Sequence, residues 1–311
     1  MGKVIGVLCG GPSRERDISI RSGQAVYDAL RSLGLSVSLV VLSENTYQIP
    51  DEIRLSGLHT AFIALHGRYG EDGTVQALLE QMKIPYTGSS AEACRYAMDK
   101  VHSRRRWAAA GIPVPEWKLT DAMAAVSQAE KMKFPLVVKP VSEGSSIGIS
   151  IVDSADQLSE AVAQAAPRGG PLLLEEYLPG AELTVGILNN QPLPVIQVVP
   201  KRRFYDYVAK YTPGMTNYLV PAPLPEPIAK QTQEIARRAH EALGCGSFSR
   251  VDFILAEGRG PVVLELNAIP GMTASSLLPK AAALVGISFP ELCRTMLESA
   301  YLRSSAMEPA G

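Results

Sequence analysis

Paired cysteines are missing from this sequence. Cys9, Cys94, Cys245 and Cys293 are scattered over 311 residues with no CxxC pair, so neither a zinc site nor a disulfide framework is indicated, and reduced thiols in a cytoplasmic protein are the expectation. An excess of charge is missing too. With a formal net charge of −1 the chain has no long-range attraction for nucleic acid or an anionic membrane, and neither is expected as a partner. The nearest basic run, Arg104-Arg105-Arg106, falls inside an apparent helix and reads as a solvated helix face. No apolar run approaches the roughly 18 residues needed to span a bilayer. The chain enters a strand almost at once without a signal peptide, and MGKVIG lacks the Ser or Thr of an N-myristoylation motif. Two phosphate-binding signatures are absent as well: GxxxxGK[ST] does not occur, and the first βα junction, GVLCGGPS, lacks GxGxxG. A P-loop NTPase and a dinucleotide site at that junction are thereby excluded.

What is present is an ordinary globular composition, 46% hydrophobic and 20% charged, in a chain long enough for two or three domains. Residues 1 to about 95 alternate in type: KVIGVLC, LSVSLVVL and TAFIALHG read as strands, SGQAVYDALRSLG and TVQALLEQM as helices. That is a βαβ pattern, hence an α/β fold with a parallel sheet and ligands beyond the carboxyl ends of its strands, where Gly10, Gly11, His66 and Gly67 lie. A second region, 96–180, opens with two helical stretches and passes through FPLVVKP, the loop SEGSSIGIS and the strand LLLEEYL. The third, 181–311, contains TVGIL, PVIQVV, an irregular stretch from Pro200 to Leu224 and a helix from about Pro227 to Leu243. Connections longer than about 15 residues are usually functional or disordered. This one carries Phe204, Tyr205, Tyr207, Lys210 and Tyr211, which argues against simple disorder.

The chemistry concentrates in SRVDFILAEGRGPVVLELNAIPGMT, residues 249–273. VDFIL and PVVLEL are joined by a Gly-containing turn and read as a hairpin, so Asp252 and Glu265 can face each other. Alternation sends Glu265 and Asn267 to one face. Two carboxylates and an amide that converge repel unless something positive lies between them, and magnesium is the natural candidate; a polar sheet edge with solvated acids is the alternative. Lys139 ends the strand LVVK and should project toward the same crevice, where Gly144, Ser145, Ser146 and Gly148 supply a loop able to wrap a polyphosphate. Glu15 opens the first helix, either as an anchor for a cationic substrate group or as a plain helix-start acid.

Taken together the residues describe an ATP site, and they carry a resemblance. GGPSRERDISIRSG, LHGRYGEDG, MDK, VVKPVSEGSSIGIS, LLEEYLPGAE, FYDYVAKY, SRVDF and LELNAIPGMTASSL resemble, in order and over nearly the whole chain, the signatures of D-alanine:D-alanine ligases, ATP-grasp enzymes of peptidoglycan precursor synthesis. The resemblance implies an N-terminal parallel-sheet domain (1–95), a central ATP-grasp subdomain (96–180) and a C-terminal mixed-sheet subdomain (181–311) with a lid at about 200–224. Lys100 and Lys139 would bind ATP phosphates, and the loop from Glu143 through Ser145 and Ser146 to Gly148 would close over them. Glu175, Glu176, Leu178 and Glu182 would hold adenine and ribose, with Phe204 against the adenine ring, and Lys210 would reach the γ-phosphate. Asp252, Glu265 and Asn267 would carry two Mg2+ ions, with Mn2+ able to substitute. Glu15 would bind the ammonium of the first D-alanine, with His66 joining it in substrate binding, and would form a hydrogen-bonded triad with Ser145 and Tyr211. Arg250 and the Gly271 N–H would stabilise the oxyanion, and Ser276 and Leu277 would receive the second D-alanine. A cytoplasmic homodimer is what the family suggests.

The implied reaction runs through an acyl phosphate, which a lid would shield from water. Two rival functions stand beside it: a sister ligase that joins D-alanine to D-lactate or D-serine, for which Tyr211 is the discriminating position, and a catalytically silent nucleotide-binding protein on the same fold.

Overall fold

A computed structural model describes residues 4–166 and 170–307. Lys3, with which the first expected strand begins, lies outside the described residues, as do Met1 and Gly2 of the stretch searched for targeting signals. The N-terminal region alternates as its pattern requires: β1 (Ile5–Gly10), α1 (Arg16–Ser32), β2 (Val37–Leu42), α2 (Ile49–Leu55), β3 (Thr60–Ile63) and α3 (Thr74–Gln81). β1 runs between β2 and β3, parallel to both, and every residue of it is buried, which is why IGVLCG reads as an unbroken apolar run. α1 ends where Gly34 takes a φ of 78° and returns its N–H to the Arg31 carbonyl, the left-handed stop that glycine permits.

Two helices follow, α4 (Ala91–Met98) and α5 (Lys100–Ala109). Between them the Asp99 carboxylate accepts from the N–H groups of Val101 and His102 and caps α5. The second sheet holds β4 (Trp117–Thr120), β5 (Leu136–Pro140), β6 (Ser150–Val152) and β7 (Leu172–Glu176), in the order β4-β7-β5-β6 and antiparallel throughout. α6 (Ala125–Ala129) and α7 (Leu158–Ala165) bury Ala125, Ala129, Leu158, Ala161 and Ala165 against it.

The third sheet is β8 (Gly180–Leu188), β9 (Gln191–Pro192), β10 (Ile196–Pro200), β11 (Thr216–Leu219), β12 (Phe248–Ala256) and β13 (Gly260–Asn267), ordered β11-β10-β8-β12-β13 with β9 on β8. Every pairing in it is antiparallel. The mixed sheet expected here is therefore corrected; short returns such as the one between Ala256 and Gly260 give antiparallel neighbours without a crossover. The stretch from Pro200 to Leu224 is not irregular either. It contains α8 (Tyr207–Tyr211), capped by the Asp206 carboxylate accepting from Ala209 N–H at 2.8 Å, and then β11, which pairs residue by residue with β10. α9 (Glu226–Ala242) covers the sheet with Ile235, Ala236 and Ala239, and α10 (Leu277–Leu284) and α11 (Phe289–Met307) complete the chain.

One apolar cluster joins Val7 and Val26 of the N-terminal region to Ile196, Phe248, Leu278 and Leu292 of the C-terminal one. This shared core brings the carboxyl ends of β1 and β3 beside the β12–β13 hairpin. Among the described residues no helix is long and apolar enough to cross a membrane.

Candidate active site

Strand register builds the first wall. Arg250 pairs with Asn267 and Asp252 with Glu265 across the hairpin, while Thr184 of β8 pairs with Asp252 on the other side. Side chains of directly paired residues share a face, and residues two apart along a strand return to it. Glu182, Thr184, Arg250, Asp252, Glu265 and Asn267 therefore occupy one face of the third sheet. The register shifts between Asp252 and Phe253; Leu264 is the extra residue of a bulge, a device that re-aims strand side chains beside functional sites.

The Asp252 carboxylate is already well bonded. Its Oδ1 accepts from Thr184 Oγ1 at 2.6 Å and Arg250 Nε at 2.8 Å, and its Oδ2 from Arg250 Nη2 at 2.8 Å and Asn267 Nδ2 at 3.0 Å. The last bond leaves the Asn267 amide oxygen available. Burial would raise the Glu265 pKa, but the charges of Lys210, Lys100, Lys139 and Arg250 outweigh it and bring it to about 2. Glu182 goes the other way: burial, with Asp252 and Glu265 adding to it, lifts it to about 8 against Lys210 and Arg250. No group of three or more His, Cys, Asp or Glu side chains placed to hold a metal occurs among the described residues. What is present is the smaller set of two carboxylates and an amide oxygen, all hard donors of the kind a magnesium ion takes.

Cations form the opposite wall. Lys100, at the start of α5, is 5% exposed and donates to the Glu143 carbonyl at 2.6 Å. Lys139, also 5% exposed, lies 2.6 Å from Glu175 Oε2. Burial, joined by Arg104 and Lys100, pulls the Lys139 pKa down to about 8 despite Glu175. Two buried ammonium groups facing an ionised Glu265 leave an excess of positive charge in the cleft.

The glycine loop is conformationally special at Gly148, as expected, and at two serines as well, while Gly144 is not among its left-handed residues. Besides Gly148 at φ 73°, Ser145 and Ser146 adopt left-handed φ values of 48° and 59°. Such a conformation costs a non-glycine residue on the order of 1–3 kcal/mol and persists where surrounding contacts over-determine it. Those contacts are on hand. Ser145 Oγ donates to Glu15 Oε1 and lies 2.9 Å from Tyr211 Oη, Tyr211 Oη lies 3.5 Å from the same carboxylate oxygen, and Ser146 Oγ donates to the Tyr205 carbonyl at 2.9 Å. The expected triad of Glu15, Ser145 and Tyr211 thus forms, tying the first helix, the glycine loop and α8 into one latch. Tyr205 and Tyr218 hydroxyls, 2.8 Å apart, secure the same segment to β11.

Beneath the latch is a cleft of about 570 Å³ lined by Glu15, Ser145, Lys210, Tyr211, Arg250 and Ser276. Glu15 is 6% exposed, and its pKa is raised by burial and by Glu71, against Ser145, His66 and Lys210. His66 sits between two partners, with Nε2 3.0 Å from Ser22 Oγ and Nδ1 3.4 Å from Glu71. Gly67, at φ 68°, has no room for a side chain: a Cβ there would strike Ser13 Oγ and approach Glu15 Oε2 to 2.6 Å. At the far end Ser276 precedes α10, with its Oγ accepting from Thr273 N–H at 3.1 Å, and a Cβ on Gly271 would come within 3.1 Å of the same oxygen. Leu277 begins that helix.

Three expectations change. Glu175 presents no free carboxylate, since Arg104 takes its Oε1 and Lys139 its Oε2. The Glu176 carboxylate is likewise engaged, accepting from Glu116 N–H at 2.7 Å and Arg259 Nη1 at 2.6 Å. Both of those bonds fall on Glu176 Oε1, and Leu178, between β7 and β8, is half-buried. Arg104 is no solvated helix face but 0% exposed. Glu71, Ser22 and Tyr218 were passed over altogether; Glu71 and Ser22 had a signal, their places in LHGRYGEDG and GGPSRERDISIRSG, and Tyr218 had none. Phe204 lies half-buried between β10 and α8.

Models of the D-ala D-ala ligase C-terminus and N-terminus match residues 106–298 and 45–89. A D-alanine–D-alanine ligase of Syntrophotalea carbinolica is 47% identical over 306 residues, covering 97% of each chain. The chain belongs to the D-alanine–D-alanine ligase family. Its α/β architecture is that of the ATP-grasp members: the D-alanine–D-alanine ligase from Bacillus anthracis superposes with a TM-score of 0.87 at 34% identity, over 98% of this chain and 99% of that one. The complex of the B. anthracis ligase with ATP gives 0.85 at 30% identity over the same shares.

Proposed function

We propose that the protein joins two D-alanine molecules into D-alanyl-D-alanine while converting ATP to ADP and phosphate, as a cytoplasmic step of peptidoglycan precursor synthesis. The observation that carries this reading within the family is the pairing of walls: a sheet face bearing Asp252, Glu265 and Asn267 opposite buried Lys100 and Lys139, with Lys210 above. A polyphosphate compensates the lysines. A dication compensates the acids.

In this reading Lys100, Lys139 and Lys210 hold the phosphates, Ser145 to Gly148 with Glu143 cover them, and the β7–β8 link with Glu182 and Phe204 takes the nucleoside. Asp252, Glu265 and Asn267 fit Mg2+, two ions on the family pattern, which when bound would neutralise phosphate oxygens and make the γ-phosphorus accessible to an anion. Everything else falls to the chain's own groups. Glu15 and Glu71, two acids whose mutual repulsion favours a cation, hold the ammonium of the first D-alanine, and His66 is fixed beside them. That orientation sends the substrate carboxylate toward the γ-phosphorus; an oxygen–phosphorus bond forms, ADP leaves, and an acyl phosphate results. The second D-alanine, its carboxylate received by Ser276 and the Leu277 N–H, gives up an ammonium proton and attacks the acyl carbon. Arg250 and the Gly271 N–H take the oxyanion charge, and phosphate departs with the carbon–oxygen bond. The latch keeps water from the acyl phosphate meanwhile. A homodimer rests on the family resemblance alone.

The direct test is ADP release measured with each substrate omitted in turn. ADP should appear only when D-alanine is present, with one dipeptide per ADP; release independent of D-alanine would favour a nucleotide-binding or hydrolytic protein.

Because a few hydrogen bonds close the latch, the unliganded lid should open often. Trypsin should therefore cut at the exposed Lys201–Arg203 segment quickly in the free protein and slowly with ATP and a phosphinate dipeptide mimic. Equal rates in both states would speak against a closing lid.

Tyr211→Phe removes one hydroxyl from the latch and keeps the ring, so closure should weaken by about one hydrogen bond, roughly 0.5–1.5 kcal/mol. A hydroxy acid needs no deprotonation where an amine is still charged. We expect slower dipeptide synthesis and new D-alanyl-D-lactate near pH 6, read by product analysis with both nucleophiles present. A wild-type product ratio at every pH would remove Tyr211 from nucleophile choice.

A further inference from the structure

Arg104 lies one helical turn beyond Lys100 on α5, and its side chain is fully buried. A guanidinium leaves water only where partners compensate it. Here Nε and Nη2 both donate to Glu175 Oε1, at 3.0 and 2.8 Å, while Oε2 of the same carboxylate holds the Lys139 ammonium at 2.6 Å. The Trp107 ring, pinned by its Nε1–H donating to the Ala239 carbonyl at 3.0 Å, has its centroid 5.7 Å from the guanidinium carbon. The remaining nitrogen, Nη1, is buried with no hydrogen-bond partner. Arg104 and Lys139 thus share one buried carboxylate, a cluster that well-packed apolar residues would replace at little loss if stability alone were served.

We propose that Arg104 is a positioning residue of the phosphate site: it clamps Glu175 from behind, and the clamped carboxylate aims the Lys139 ammonium into the cleft. This rests on the reading of Lys139 as a phosphate contact. The main chain of Glu175 is fixed in β7 by pairing with Trp117 and Val137, so only its side chain is left to be oriented. Two donors on one oxygen hold that side chain in a single rotamer and leave the other oxygen for lysine. With Arg104 gone, Glu175 and Lys139 form an isolated pair free to swing together, and the ammonium loses its aim.

The test uses the full chain and steady-state kinetics of five variants. Lys139→Met comes first: if it leaves KM for ATP unchanged, the phosphate reading of Lys139 fails, and with it the basis of the inference. If it raises KM for ATP, Arg104→Met and Glu175→Gln should each raise it as well, by about ten- to a hundredfold for one weakened charge-assisted contact. The double variant Arg104→Met/Glu175→Gln should be no worse than the poorer single, because the two act in series. Arg104→Lys keeps the charge but cannot fill the contact that two guanidinium nitrogens make, so it should recover little of the loss, and KM for D-alanine should stay at its wild-type value throughout. An arginine of purely structural importance would lower melting temperature and active fraction and leave KM for ATP alone; that result, or additive losses in the double variant, would overturn the proposal. Should Arg104→Met not fold, Arg104→Lys combined with Glu175→Gln carries the same cycle, and additivity there counts equally against it.

Discussion

Glutamine in place of Glu265 should abolish ligation. Held at a pKa of about 2 by four surrounding cations, Glu265 is a full negative charge at any working pH, and no side chain among the described residues hydrogen-bonds it. Asp252, by contrast, is shared with Arg250, Thr184 and Asn267. The variant therefore removes the acid with most capacity left for a dication, and turnover should fall by at least about 10³, a loss of several kcal/mol of transition-state charge stabilisation. ATP affinity measured with magnesium and with a chelator separates causes: the gain that magnesium brings to the wild type should vanish. The sign of the stability effect follows from the depressed pKa. Its contribution is present above the ordinary glutamate value near 4.5 and is lost as pH falls through about 2. The variant should accordingly melt below the wild type at pH 7, the gap narrowing as the solution is acidified. Near-wild-type turnover at saturating magnesium would sink the metal assignment.

Arg250→Ala should cost on the order of 10² to 10³ in turnover, the loss of one oxyanion donor. Two of its nitrogens already hold Asp252 at 2.8 Å each, so the variant also releases that carboxylate and leaves its repulsion with Glu265 less offset. Arg250→Lys should recover little, because an ammonium cannot fill the two-pronged contact. Measured kcat and KM decide the role. A fall in kcat with KM for ATP nearly unchanged fits an oxyanion donor; a change confined to KM for ATP would make Arg250 a phosphate binder.

The β12–β13 hairpin was legible because its information is local: period-two alternation and a Gly-bearing turn place Asp252 opposite Glu265 without reference to the rest of the chain. Neither the bulge at Leu264 nor the bonds that occupy Asp252 leave such a trace, since both depend on neighbouring strands. Arg104 was misread for the same reason. In its own helix it is one of three arginines, and only the approach of β7, more than sixty positions later in the sequence, turns that face inward. Glu175 and Glu176 look like acids at a strand exit, yet Arg104, Lys139 and Arg259 reach them from three separate elements. β11 escaped notice because TNYL is polar and half-exposed, carrying no apolar period. The latch of Glu15, Ser145 and Tyr211 joins three distant segments that no spacing rule connects; resemblance to the family supplied it, and the geometry brings the three side chains together.

The central claim is that the first D-alanine carboxylate attacks ATP. Synthesis from D-alanine labelled with ¹⁸O in its carboxylate tests this most directly, with mass spectrometry of the released phosphate as the readout. One labelled oxygen per phosphate, in step with dipeptide formed, is the predicted result; unlabelled phosphate alongside normal dipeptide yield would contradict the acyl-phosphate route.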